Sequence, residues 1–140
     1  MKLALFLFIW WLQTPEVPNG WVLFAQVEFE PQYFESEETY FMVPKFSNEL
    51  KRKEGTVVEL RGYYIPFDLP SNSLIISRGP YASCFFCGGA GPESVAEVIF
   101  KTKIPKLKLD QRIKVRGKLR LNKSDVNHMS FQLVDAEFVE

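Results

Sequence analysis

This chain is poor in the residues that most often carry chemistry. Among its 140 residues there are two cysteines and one histidine. A closed zinc site takes four ligands, and a second Cys-x-x-Cys pair to complete one is missing. Charge of one sign is lacking too: 17 Lys and Arg balance 17 Asp and Glu, and a net charge of zero gives no global pull toward nucleic acid. The glycine-rich "GGAGPES" at 88–94 has neither the Gly-Lys-Ser/Thr ending of a phosphate loop nor a G-x-G-x-x-G pattern. It reads as a turn that needs positive φ. One histidine and no nucleophile elbow leave Ser83, Ser94 and Ser130 without the context of a catalytic triad. The longest apolar run, Leu3 to Leu12, falls short of the roughly 20 residues a helix needs to span a bilayer, so no transmembrane span is expected.

That run has another reading. "MKLALFLFIWWL" places one lysine ahead of ten apolar residues, the pattern of a secretory signal, and predicts a periplasmic or secreted protein. The best cleavage position follows Ala25, in "LFA|Q"; an uncleaved amino-terminal anchor is the alternative. Residues 1–25 are therefore read as the signal and 26–46 as an extended, acidic and aromatic lead-in, with Glu28, Glu30, Glu35, Glu37 and Glu38 against Lys45. A hydrophobic content of 46% and the remaining length suit one folded domain, residues 47–140.

Within that domain, "SNELKRKEG" offers Ser47 as a helix N-cap and Gly55 as a stop, which predicts one short helix. The clear patterns are strands. "TVVELRGYYI" and "IKVRGKLRL" alternate apolar and charged residues, "LIISR" and "AEVIFK" are short apolar runs, and "MSFQLVDAEFVE" alternates with a phase shift that a bulge near Val134 would explain. Five strands, with Gly62 and Gly117 inside the first and fourth where a sharp bend needs no side chain, predict a mainly β fold, a small coiled barrel of OB type. A small open sandwich is the alternative.

The stretches "KRKEGTVVELRGYYIPFD", "LIISRGPYASCFFCGGAGPES" and "IKVRGKLRLN…HMSFQLVDAEFVE" resemble a family of small exported bacterial OB-fold-like proteins known as domains of unknown function. The resemblance spans about residues 45–140 and rests on Gly55, Val58, Leu60 and Gly62, on Pro66, and on Pro80-Tyr81 leading to Cys84. Relatives in that family place a histidine two residues after the cysteine, where this chain has Cys87 nearby and a glycine turn. The resemblance implies an exported OB-like module linked to metal uptake, with a metal-transport or envelope protein as its partner.

Cys84 and Cys87 carry three readings. With His128 and Glu93 as further ligands they could hold a metal ion such as zinc. In an oxidising compartment they could pair as a disulfide or redox couple. They could also stay reduced and inert in a protein-interaction module. Ten basic residues against the single acid Asp110 between Lys101 and Lys123 make one edge positive, and strand alternation puts Lys114, Arg116, Lys118 and Arg120 on one face, a basic interaction surface. Arg61, Tyr63, Tyr64, Arg78 and Tyr81 would suit single-stranded nucleic acid, which export argues against. The sum is a binding or accessory module rather than an enzyme.

Overall fold

The computed structural model describes residues 16–140. The run Leu3–Leu12 and the signal expected there lie outside the described residues. No helix among the described residues is long and apolar enough to cross a membrane.

A short helix α1 (Gly20–Phe24) is followed by a hairpin of β1 (Glu28–Phe34) and β2 (Thr39–Lys45) and by helix α2 (Asn48–Lys53). Then come β3 (Val57–Ile65), β4 (Ser73–Ser77), β5 (Val95–Phe100), β6 (Arg112–Leu121) and β7 (Phe131–Phe138). These last five close a barrel in the order β3-β4-β5-β7-β6. Only β5 and β7 run parallel; every other pair is antiparallel. The expected mainly β, OB-like five-stranded barrel is what forms. The single short helix expected there is α2, capped by the Ser47 hydroxyl accepting from the Leu50 N–H.

Alternation explains the interior. Val58, Leu60, Leu74, Ile76, Ala96, Val98, Val115, Leu119, Phe131 and Leu133 form one buried cluster. β7 changes phase at Asp135, whose φ is 51°. Two residues of β7 stand against Gly117 alone, since Arg116 pairs with Glu137 and Lys118 with Val134. The bulge thus falls one residue past the expected position and turns Ala136 back into the core.

β4 is buried along its whole length, which a half-buried strand would not be. Leu74 and Ile76 face the barrel interior, while Ile75, with Ile65 and Val95, faces outward beneath Leu69, Phe85, Phe86 and Met129. The cysteine loop is thus a cover over the outer face of β4 and β5.

Two boundaries differ from expectation. Residues 26–46 are an ordered hairpin rather than an extended lead-in, paired from Glu28↔Lys45 to Phe34↔Thr39. The boundary after Ala25 cuts through core packing: Trp21, Leu23 and Phe24 are buried, the Phe24 ring stacks on Phe131 at 4.0 Å, and the Trp21 Nε1 donates to the Arg61 carbonyl at 2.8 Å. The Pro18 carbonyl also accepts from the Glu59 N–H. The folded unit therefore includes the segment from Pro18 onward.

Candidate functional site

The cysteine loop enters from β4 and makes three short 3₁₀ turns, Tyr81–Ser83, Phe85–Cys87 and Pro92–Ser94. Its start is pinned by the Asp110 carboxylate, which accepts from the Tyr81 N–H at 2.7 Å. The Cys84 carbonyl accepts from both the Cys87 and the Gly89 N–H. Gly88 then reverses the chain with φ 74°, a conformation that favours glycine. Cys84 is buried and Cys87 exposed, both as free thiols. Between them Phe85 and Phe86 seat in the small outer core, and Phe86 also meets Phe67 at 4.5 Å. The neighbouring Cys87 side chain holds the Tyr81 hydroxyl above its ordinary pKa.

Next to this loop lies a buried carboxylate that alternation does not reveal. Glu97 is 4% exposed. Its neighbours across the sheet are Ile75 on β4 and Gln132 on β7, and Gln132 is opposite Arg120 on β6. The Gln132 amide donates to Glu97 at 3.2 Å, the Met129 N–H at 3.4 Å, and Arg120 donates to the Gln132 carbonyl at 2.6 Å. His128 Nδ1 stands 3.0 and 3.1 Å from the two Glu97 oxygens. Burying a carboxyl without hydrogen-bond partners would be costly, and these partners supply them. This set fastens the 122–130 loop to the barrel.

The two features share a groove. β2 (through Tyr40, Met42 and Val43), Phe85, and the 122–130 loop (through His128 and Met129) enclose about 260 Å³. Its walls are mostly apolar, and the 122–130 loop adds polar side chains, among them Asn122, Lys123, Asp125 and His128. The loop joining the last two strands is one of the two loops by which OB barrels commonly hold ligands. The hairpin that forms the far wall is the segment expected to be an extended lead-in.

The residues expected to bind zinc do not converge. Among the described residues no group of three or more His, Cys, Asp or Glu side chains could hold a metal ion. His128 is engaged by Glu97, and the Glu93 carboxylate folds over Gly91 at the start of its own turn. Two thiols without a third ligand do not fit a zinc site of the closed type.

The expected basic face is divided. Arg116 pairs with Glu59 at 2.8 Å and Lys118 with Asp135 at 3.4 Å, while Arg120 is taken up by Gln132. Of the four, only Lys114 is without such a partner among the described residues. The bond from Arg116 holds the Glu59 carboxyl below its ordinary value; burial opposes this, and Arg61 and Lys114 reinforce it. A depressed carboxyl stabilises the fold above its unfolded-state pKa, and that stabilisation is lost as pH falls through the folded-state pKa. We therefore expect Glu59→Gln to lower stability by on the order of 1 kcal/mol at neutral pH. In urea unfolding, the gap from the parent protein should narrow steadily once the pH drops below the ordinary carboxylate range. A gap that stays constant into acid would contradict this.

No family model, curated protein or solved structure matches the chain.

Proposed function

We propose that the protein is an exported accessory binding module of OB type, and that its Cys84–Cys87 turn is a reversible dithiol–disulfide pair set in the wall of the binding groove. The observation that carries this reading is the turn itself. The Cys87 N–H donates to the Cys84 carbonyl at 3.2 Å, which closes the two cysteines into one tight turn. Cys87 is exposed and Cys84 buried behind it, the arrangement of an attacking and a resolving thiol. Export supports an oxidising setting, in which such a pair is used.

The chemistry is thiol–disulfide exchange. The Cys87 thiolate attacks a disulfide of an envelope partner, and the partner's first thiolate leaves. Cys84 loses its proton and displaces the second, forming the Cys84–Cys87 bond. The pair gives up two electrons and two protons, and the partner disulfide takes them up. Phe85 lies between the cysteines and also in the groove wall, so closing the bond alters the wall.

The test is equilibration of the full chain over a series of reduced and oxidised glutathione ratios, followed by alkylation and mass measurement. The expected result is joint loss of both thiols over a narrow range of ratios, with Cys84→Ser trapping a glutathione on Cys87 and Cys87→Ser leaving the buried Cys84 unmodified. Two thiols that stay free across the whole series would sink the redox reading. The interaction-module reading would then stand, favoured by the exposed Tyr33, Tyr40 and Met42 of the hairpin.

A further inference from the structure

The positive charge left over when the basic face is divided collects at one place that strand alternation on β6 alone does not show. β3 and β6 pair with Glu59 opposite Arg116, Arg61 opposite Lys114, and Tyr63 opposite Arg112. The first of these pairs is an acid against a base. The second sets two cations directly across from one another, an arrangement that costs stability in an antiparallel ladder. Arg78, just past the end of β4, joins them: Arg61, Tyr63, Arg78, Arg112 and Lys114 line one groove of about 480 Å³ with no acid in its lining.

Arg61 reaches back to Glu59 at 3.2 Å. No carboxylate lies within 4 Å of the charged nitrogens of Arg78, Arg112 or Lys114 among the described residues. The nearest acid on the connecting loop, Asp110, is occupied by the Tyr81 N–H. The Arg112 guanidinium sits over the Tyr63 ring, 5.7 Å from its centroid, a contact that pre-positions it without neutralising it.

We propose that this groove binds a tetrahedral oxyanion, a phosphate- or sulfate-type group borne by a ligand. Guanidinium groups match such an anion through paired N–H donors, and Lys114 adds a point charge. Bound anion removes the like-charge repulsion between Arg61 and Lys114. The site is independent of the cysteine pair and of the groove beside it, so it stands or falls separately from the redox reading.

Its test uses the full chain at low and moderate salt. Inorganic pyrophosphate is titrated against amide chemical shifts, and in parallel the protein is sedimented with vesicles of phosphatidylglycerol or of phosphatidylcholine. The expected result is shifts clustered on residues 61–63, 78 and 112–114 with pyrophosphate, or sedimentation with phosphatidylglycerol alone. The first outcome identifies a soluble anion as the source and the second a lipid headgroup. The Arg78→Gln/Arg112→Gln double variant should weaken whichever is seen at least tenfold, and Lys118→Gln, outside the groove, should leave it within twofold. Thermal unfolding of both variants verifies that they are folded. No binding to either probe, or an equal loss in Lys118→Gln, would overturn the proposal.

Discussion

Replacing Phe24 with alanine is expected to destabilise the protein by about 3–5 kcal/mol, the usual cost of emptying a buried aromatic site. Its ring is fully buried, stacked on Phe131 with an interplanar angle of 12° and met edge-on by Trp21 at 5.7 Å. Phe46 packs against the same Phe131 from another direction, at 5.7 Å. Alanine would leave the Trp21 and Phe131 rings facing an empty volume that no small side chain fills. Against a typical total of about 5–15 kcal/mol, that loss is a large fraction of the stability. Urea unfolding should show a lower midpoint with an unchanged slope. A chain starting at Gln26 loses Trp21 and Leu23 as well, and should fail to unfold cooperatively at all. If it instead unfolded at the same urea concentration as the chain starting at Glu16, α1 would not be part of the core, and processing after Ala25 would be compatible with the fold.

Gly62→Ala should be nearly as damaging for the opposite reason. Gly62 lies where β3 leaves β6 and turns to β4: its own partner is Ile113, and the next residue, Tyr63, pairs with both Arg112 and Ser77. A methyl group there would overlap the Ser77 carbonyl oxygen and stand 3.1 Å from an Ile76 side-chain carbon. The oxygen is backbone and cannot rotate away, and β4 is held on its other side by β5 through Ser77↔Val95. Overpacking of this kind costs roughly 1–3 kcal/mol and sometimes more; we expect about 3. At Gly117 the nearest atom is instead the Leu133 Cβ at 2.9 Å, so Gly117→Ala is a useful comparison, with a smaller cost. A Gly62→Ala protein within about 0.5 kcal/mol of the parent, the range of an ordinary surface change, would show that the crossing of β3 over β4 does not need glycine.

Both predictions mark where sequence reasoning reached and where it stopped. Alternation located three of the five barrel strands and short apolar runs the other two, and Gly62 and Gly117 announced the bends, because strand periodicity and steric bulk are local properties. Ser47 and Gly55 bracketed α2 for the same reason. Helix α1 was hidden: five residues cannot nucleate a helix alone, and this one is formed by an Asn19 cap and by a core supplied from residues far along the chain. The hairpin of residues 28–45 was masked by aromatic and acidic residues with no sustained period.

The site divides along the same line. That Cys84 and Cys87 lie in one tight, glycine-ended turn was written in the local sequence. That His128 pairs with Glu97 was not, since Glu97 lies 31 residues away in a strand read only as a short apolar run. Likewise, whether Lys114 or Arg116 keeps its charge free depended on Glu59, which is 57 residues from Arg116.

By itself, then, the sequence determined the five barrel strands, the inward faces of those that alternate, the short capped helix and the cysteine turn, because each depends on residues a few positions apart. The tertiary structure decided the closure of the barrel, the capture of Phe24 as a core residue, the burial of Glu97 and the position of the unpaired basic groove. Each of these is a contact between distant segments, and its energy exists only once the chain has brought them together.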